Sequence, residues 1–336
     1  MENIIFTLDG REILKSEIIK VNNSLCKDGC GELDNGLLNK QKFSDGELCV
    51  DFKDSVRGKR VYIITSPNTS DEIINLEMAI DAAKRAAASE VIPILPYFPY
   101  ARQDKKDQSR GPIGAKVMAL KLEAIGATSL VTFDLHADQI QGFFEIPVTH
   151  IEGKNIFSEY IANIANENTI LFGPDEEIIL SSCDAGGVKR VKRMATKLKE
   201  KFSLDINYIV IDKIRDKANS VESVTIIGNV KNKHVIIVDD MIDTFGSADK
   251  SIDALIDGGA KSVRMIASHG VLSGSALDKI AKSKLTELII SDSLELKIPE
   301  NHPVRNKIKV ISLATQIGYA LQSINSGSSL EKILGK

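Results

Sequence analysis

The chain has 336 residues, 43% hydrophobic and 26% charged, with 43 Lys and Arg against 46 Asp and Glu for a formal net charge of −3. That composition belongs to a globular protein long enough for two domains; the net charge implies no bulk affinity for nucleic acid, and no apolar run is long enough for a membrane span. Cys26, Cys30, Cys49 and Cys183 are too few for a disulfide framework, and Met1-Glu2-Asn3-Ile4 lacks the basic head of a signal peptide, so a reducing cytoplasm is expected. Cys26 and Cys30 have no second Cys/His pair close by and read as ordinary thiols rather than a zinc site.

In the first half, the polar run Phe43-Ser44-Asp45-Gly46-Glu47 precedes a strand around 48–52. It offers two carboxylates and a stacking ring for a nucleoside, but taken alone it is a turn. A strand over 61–65, a helix over 71–88 and a strand over 91–95 follow. Tyr97, Phe98 and Tyr100 then lead into the charged run Arg102-Gln103 to Arg110, an anionic-ligand loop at a strand's carboxyl end with Arg102 as a planar phosphate clamp. The aromatic lead-in favours function over an idle loop. The spacing predicts a helix over 112–125 with Pro112 in its first turn and Gly126 as its cap, then a strand over 130–133. His136 in Asp134-Leu135-His136-Ala137-Asp138 is able to ligate a metal or contact phosphate, although a lone histidine is more often structural.

The second half opens on a strand at 178–181 and the glycine-rich turn Ser181 to Gly187, where backbone can approach an anion closely and Asp184 can hold a hydroxyl or a metal-bound water. The helix 188–202 keeps Val188, Val191, Met194 and Leu198 at core spacing. Its Lys189, Arg190, Lys192, Arg193 and Lys197 form mostly a solvated face. A strand at 208–211 precedes Lys213-Ile214-Arg215, and 216–222 is polar without apolar periodicity, as in a lid over phosphates or in an idle surface loop. After a strand at 224–227 comes the most informative run. Val235 to Val238 is an apolar strand buried on both faces, with Asp239 and Asp240 at its carboxyl end. Asp243-Thr244-Phe245-Gly246-Ser247 then leads into a helix over 248–256, so that amides, two hydroxyls and a helix dipole meet any phosphate there. Strands at 263–267 and 288–290 complete an alternation that predicts α/β domains with mostly parallel sheets.

Two segments look alike: Leu122 to Leu130 and Leu255 to Val263 both read helix, glycine, Ala, x, Ser, strand. Gly126 and Gly259 lie 133 residues apart, as do His136 and His269. A weaker echo joins Ile63 to Ser66 with Ile178 to Ser181. This predicts two copies of one α/β domain joined near 150–160.

The run from Val235 to Ser247 resembles the phosphoribosyl-pyrophosphate (PRPP) signature of type I phosphoribosyltransferases and PRPP synthetases. With Phe43 to Glu47, Tyr100 to Lys106, Asp134 to Phe144, Asp184 to Gly187 and Lys213 to Arg215, the resemblance extends over nearly the whole chain to the ribose-phosphate pyrophosphokinase (PRPP synthetase) family. Phosphoribosyltransferases share the PRPP loop but lack the stretch Asp134 to Phe144. The resemblance implies two tandem phosphoribosyltransferase-like domains, 1–155 on the ATP side and 156–310 on the ribose 5-phosphate side, with 311–336 packing back on the first. It implies ATP binding by Phe43, Asp45, Gly46 and Glu47, across a subunit interface, and by Arg102 and Gln103. Lys213 and Arg215 would stabilise the transition state. Asp239 and Asp240 would hold the ribose hydroxyls, and Asp243, Thr244, Phe245, Gly246 and Ser247 the 5-phosphate, with Arg215 contributing. His136 and Asp184 would help hold Mg2+. ATP and ribose 5-phosphate are the implied substrates and a homohexamer the implied assembly, with neither nucleic acid nor membrane as partner. Ser247 replaces the usual Thr but keeps the hydroxyl. The stretch after Arg215 lacks the family's Arg- and Pro-rich continuation, and Ser24 to Lys40 departs from the usual lead-in. The rival readings are a PRPP-consuming phosphoribosyltransferase and a non-catalytic regulatory relative of the synthetase.

Overall fold

The computed structural model describes residues 1–26, 31–166, 177–214 and 223–331. The chain divides into two compact units. The first comprises Met1–Glu152, Ser293–Glu295 and Ser312–Lys336; the second comprises Gly153–Asp292 and Leu296–Ile311.

The first unit begins with β1 (Asn3–Thr7), buried along its whole length, and α1 (Glu12–Leu25), which turns Leu14 and Ile18 inward. After β2 (Leu33–Asn35), the strands β3 (Leu38–Lys42) and β4 (Leu48–Phe52) form an antiparallel hairpin that is a sheet of its own. Then follow β5 (Arg60–Ile64), α2 (Ser70–Arg85), β6 (Glu90–Leu95), α3 (Gly114–Ile125), β7 (Leu130–Phe133) and β8 (Val148–Ile151). The parallel sheet has the order β2-β1-β5-β6-β7-β8. Its middle strands are continuous apolar runs because helices cover both faces; Val61 to Ile64 are wholly buried. Thr69 starts α2 with a capping box, accepting from the Glu72 amide while the Glu72 carboxylate accepts from the Thr69 amide. The helix ends at Arg85, short of the expected Ala88, because Ala87 turns left-handed at φ 62°. Pro112 lies just outside α3, which begins at Gly114.

The second unit contains α4 (Lys154–Asn166), β9 (Ile178–Ser181), α5 (Val188–Phe202), β10 (Tyr208–Ile214), β11 (Ser223–Ile227), β12 (His234–Ile242), α6 (Gly246–Asp257), β13 (Ser262–Gly270), α7 (Ala276–Lys282), β14 (Glu287–Ser291) and β15 (Ile308–Ile311). Its order is β11-β10-β9-β12-β13-β14-β15, with β10 and β11 antiparallel and the other neighbours parallel. The helix α8 (Ala314–Ser326) belongs to the first unit and packs on α1 so closely that a Cβ on Gly318 would lie 2.7 Å from Val21 Cβ. Among the described residues no helix is long and apolar enough to cross a membrane.

Both units follow one winding. The orders coincide when β1, β2, β5, β6, β7 and β8 are matched to β9, β10, β12, β13, β14 and β15. The sequence echo is therefore one βα step out of register, since it joins α3 and β7 to α6 and β13, whose topological counterparts are α2 and β6. A shared helix ending produced it. Gly126 and Gly259 both take positive φ (129° and 93°), and the next amide, of Ala127 or Ala260, bonds back to Leu122 or Leu255. His136 and His269 consequently occupy different places in the two windings.

Candidate active site

In the second unit the chain leaves β9 toward β10 on one side and returns to β12 on the other, so the carboxyl ends of β9 and β12 flank a topological switch point. Each of these strand ends carries a cluster of expected site residues. At the β9 end, Asp184 caps the short turn Ala185–Gly187 by accepting from the Gly187 amide at 3.1 Å. A Cβ on Gly187 would lie 3.0 Å from Ser182 Cβ, so glycine keeps this turn tight. The Ser251 hydroxyl donates to the Ser247 carbonyl at 3.1 Å and also reaches the Cys183 carbonyl, joining the β9 turn to the loop after β12.

At the β12 end the strand continues four residues past the expected boundary, because Asp239 and Met241 still pair with Ala267 and His269 of β13. Asp239 and Asp240 thus lie within the strand rather than beyond it. Asp240 is buried, Asp239 half-buried, and the Asp240 amide donates to an Asp239 oxygen at 2.9 Å. Burial, reinforced by the neighbouring Asp240 charge, pushes the Asp239 carboxyl up to about 7, while Arg190 opposes the shift. Arg190 of α5 reaches Asp240 at 3.4 Å, with only 24% of its side chain exposed. It is therefore part of this site and not of the solvated face expected from the sequence. The pattern of α5 did contain the signal, since Arg190 follows Gly187 by three residues and shares its side of the helix.

The loop Asp243 to Ser247 holds a conformation that its sequence does not advertise. Phe245 is left-handed at φ 63°, uncommon for a bulky residue, and its buried ring anchors the turn. The Asp249 amide closes on the Phe245 carbonyl and starts α6, leaving Thr244 and Ser247 exposed beside Gly246. Lys279 of α7, which sequence reasoning missed, donates to the Thr244 carbonyl at 3.3 Å and places a cation at the loop.

Lys213 lies inside β10, paired with Val224 of β11, because that strand runs to Ile214 instead of ending at Ile211. Arg215 and the expected lid at 216–222 lie outside the described residues, as does Cys30.

In the first unit, Phe43 to Glu47 form the turn of the β3–β4 hairpin. The Phe43 amide bonds to Glu47 O, Gly46 turns at φ 95°, and Phe43, Asp45 and Glu47 are all exposed. Arg102 and Gln103 are exposed on the loop after β6, and a Cβ on Gly114 would strike the Gln103 amide at 2.6 Å. Of the aromatic lead-in, Tyr97 and Phe98 are core residues and Phe98 meets Phe144 edge to face, so only Tyr100 faces outward. His136 is exposed just past β7, and Gln139 ties its loop to the Arg102 loop through Asp104 at 3.2 Å. The matching switch point, between β1 and β5, is filled from within. The Arg11 guanidinium bonds to Asp9 at 2.9 Å, to the Ser66 hydroxyl at 2.7 Å and to the Ser293 carbonyl at 3.0 Å. Asp9 in turn takes the Thr7 hydroxyl and the Ser66 amide.

His136 and Asp184, the expected magnesium residues, stand in different units. Among the described residues no three His, Cys, Asp or Glu side chains converge to hold an ion. A hard oxygen donor such as Asp184 at a phosphate-type crevice suits Mg2+, which keeps waters and shares substrate phosphates rather than filling a protein cage.

Comparison with known proteins covers both units. Residues 4–126 match the family described as the N-terminal domain of ribose phosphate pyrophosphokinase, and residues 190–334 match the phosphoribosyl synthetase-associated domain. The chain is 40% identical over 296 residues to a ribose-phosphate pyrophosphokinase of Porphyromonas gingivalis, covering 88% of each chain. It is 41% identical over 295 residues to that of Campylobacter jejuni, covering 87% of this chain and 89% of the relative. A crystal structure of phosphoribosylpyrophosphate synthetase from Mycobacterium smegmatis is similar at a TM-score of 0.82 and 30% identity, over 97% of this chain and 100% of that one.

Proposed function

The chain belongs to the ribose-phosphate pyrophosphokinase family, and from that membership we propose the following reading of its reaction and its site. The protein is an enzyme that transfers the β,γ-diphosphoryl group of ATP to the 1-hydroxyl of ribose 5-phosphate, giving PRPP and AMP for nucleotide biosynthesis. The observation that carries this is similarity spanning both units at about 40% identity to pyrophosphokinases. A PRPP-consuming phosphoribosyltransferase has no use for the ATP-side segments around Asp45 and Arg102.

The anomeric oxygen attacks the β-phosphorus in line; the new O–P bond forms as the bond from that phosphorus to the α-phosphate oxygen breaks, and AMP leaves. In such transfers the protein mainly positions the reactants and offsets charge. Asp239 and Asp240 hold the ribose hydroxyls and so aim the 1-hydroxyl. The amides and hydroxyls from Asp243 to Ser247 hold the 5-phosphate at the start of α6. Arg102 and Gln103 hold ATP, whose adenine lies with Phe43, Asp45, Gly46 and Glu47 of a neighbouring subunit. The solvent-facing hairpin turn supports that shared arrangement and with it a homohexamer. Lys213 and Arg215 neutralise the charge that develops on the transferred group. Bound Mg2+ supplies further charge neutralisation on the phosphates, with His136 and Asp184 as its protein contacts. The enzyme works in the cytoplasm.

Incubation with ATP, Mg2+ and ribose 5-phosphate should release AMP in step with PRPP. Conversion of PRPP and a nucleobase without ATP would instead identify a phosphoribosyltransferase, and no turnover of either kind a regulatory relative.

A further inference from the structure

Asp134, the first residue beyond β7, is buried and left-handed at φ 42°, a conformation that costs free energy for a residue with a Cβ. Something must hold it. The Asp134 amide donates to the Ile151 carbonyl of β8 at 2.8 Å. The next amide, that of Leu135, finds no strand carbonyl. It donates instead to Nε2 of His150, at 2.9 Å, from a ring that is only 8% exposed. The other ring nitrogen, Nδ1, lies 3.2 Å from the side-chain amide of Gln141, in the short 3₁₀ segment Asp138–Phe143. One imidazole thus grips the turn on both sides of His136, which the grip leaves exposed.

We propose that His150 is a positioning residue for the reaction, fixing the direction in which His136 leaves the sheet; this rests on His136 acting at the magnesium and ATP phosphates. The Leu135 N–H is a donor only, so Nε2 must present a lone pair. Without that acceptor the amide is buried unpaired beside a strained turn, and the turn is free to relax away from φ 42°. Residues that orient a metal contact typically change activity between about 10- and 100-fold when removed.

Geometry supplies a discriminating pair of variants. A glutamine oxygen reaches the place of Nε2, whereas an asparagine oxygen reaches only the place of Nδ1. His150→Asn should therefore lower kcat by at least about tenfold and raise the Mg2+ concentration for half-maximal rate, with the KM for ribose 5-phosphate unchanged. His150→Gln should recover most of the loss. Amide hydrogen exchange in the substrate-free protein gives a readout apart from catalysis: Leu135 should lose protection in His150→Asn and keep it in His150→Gln. His150→Asn and His150→Gln behaving alike, or His150→Asn with normal kcat and Mg2+ dependence, would overturn the proposal. His136→Ala run in parallel keeps the two readings apart. If His136→Ala is fully active, the role of His136 fails; if it is inactive while His150→Asn is normal, only the positioning role fails.

Discussion

The two switch points of this molecule were wound alike and finished differently. Between β9 and β12 the strand ends present carboxylates that repel one another, a left-handed phenylalanine and a loop of exposed hydroxyls. Between β1 and β5 the same position holds Arg11, whose guanidinium satisfies Asp9, Ser66 and the Ser293 carbonyl. The first crevice gathers carboxylates, hydroxyls and a left-handed turn at its strand ends; the second ties its strand-end groups to one guanidinium. One winding therefore carries two different strand-end chemistries, and the difference is made by a few residues at the strand ends.

Mutations should separate the two crevices by what each one loses. The largest effect is expected on the β10 side of the open crevice, where Lys213→Ala should lower turnover by roughly 10²–10³ with little change in ribose 5-phosphate affinity; near-normal turnover would remove Lys213 from the chemistry. Arg11→Met should act on the fold instead. It leaves Asp9 with a charge in a site where the two side chains are only 8% and 14% exposed. The expected loss is about 3 kcal/mol of unfolding free energy in a denaturant titration, with the KM for ribose 5-phosphate unchanged. An unshifted midpoint would show that the plug does not stabilise the first unit.

Arg190→Met tests the open crevice more gently. Losing Arg190 as a partner of Asp240 should raise the KM for ribose 5-phosphate by roughly five- to tenfold, because the repulsion between the two carboxylates is then less offset. The smallest effect is on the substrate-free protein. Asp239 is raised from 3.8 to about 7, so the folded state holds a proton that the unfolded chain releases between those values. Stability should therefore fall as pH rises through that window. Asp239→Asn should abolish this loss, raising Tm at pH 8 by roughly 2–4 °C and by nothing below about pH 4, while activity is lost. A variant no more stable than the parent at pH 8 would mean that Asp239 carries no penalty.

Much of this was legible in the chain because apolar runs and capping residues report local structure. The strands at 130–133 and 178–181 and the helix at 188–202 stand where periodicity puts them. The carboxyl end of β12 was misjudged because aspartates inside a ladder read as the end of a strand. The strand β1 was missed: its apolar run is only Ile4-Ile5-Phe6, set between polar Asn3 and Thr7. In the candidate sites, residues grouped in a compact motif, such as Asp239 to Ser247, stand out as candidates from the sequence alone. Arg190, Lys279, His150 and Arg11 do not, since each matters through a partner distant in sequence: 50 residues for Arg190 and Asp240, 35 for Lys279 and Thr244. The aromatic lead-in is ambiguous for a related reason. Tyr97 and Phe98 serve the core, and composition cannot tell a stacking ring from a packing one.

The parts of this protein are not separable by a single cut. The chain passes from one unit to the other after Glu152, returns for Ser293–Glu295, leaves again, and comes back at Ser312. A fragment ending at Glu152 would lack α8, baring the face of α1 around Ile18 and Val21, and would lose the Ser293 carbonyl that completes the Arg11 plug. A fragment starting at Gly153 would carry those same pieces with nothing to receive them. For anyone dividing the protein for expression or grafting one half onto another scaffold, the workable boundary is a non-contiguous one, with the terminal helix kept beside the first.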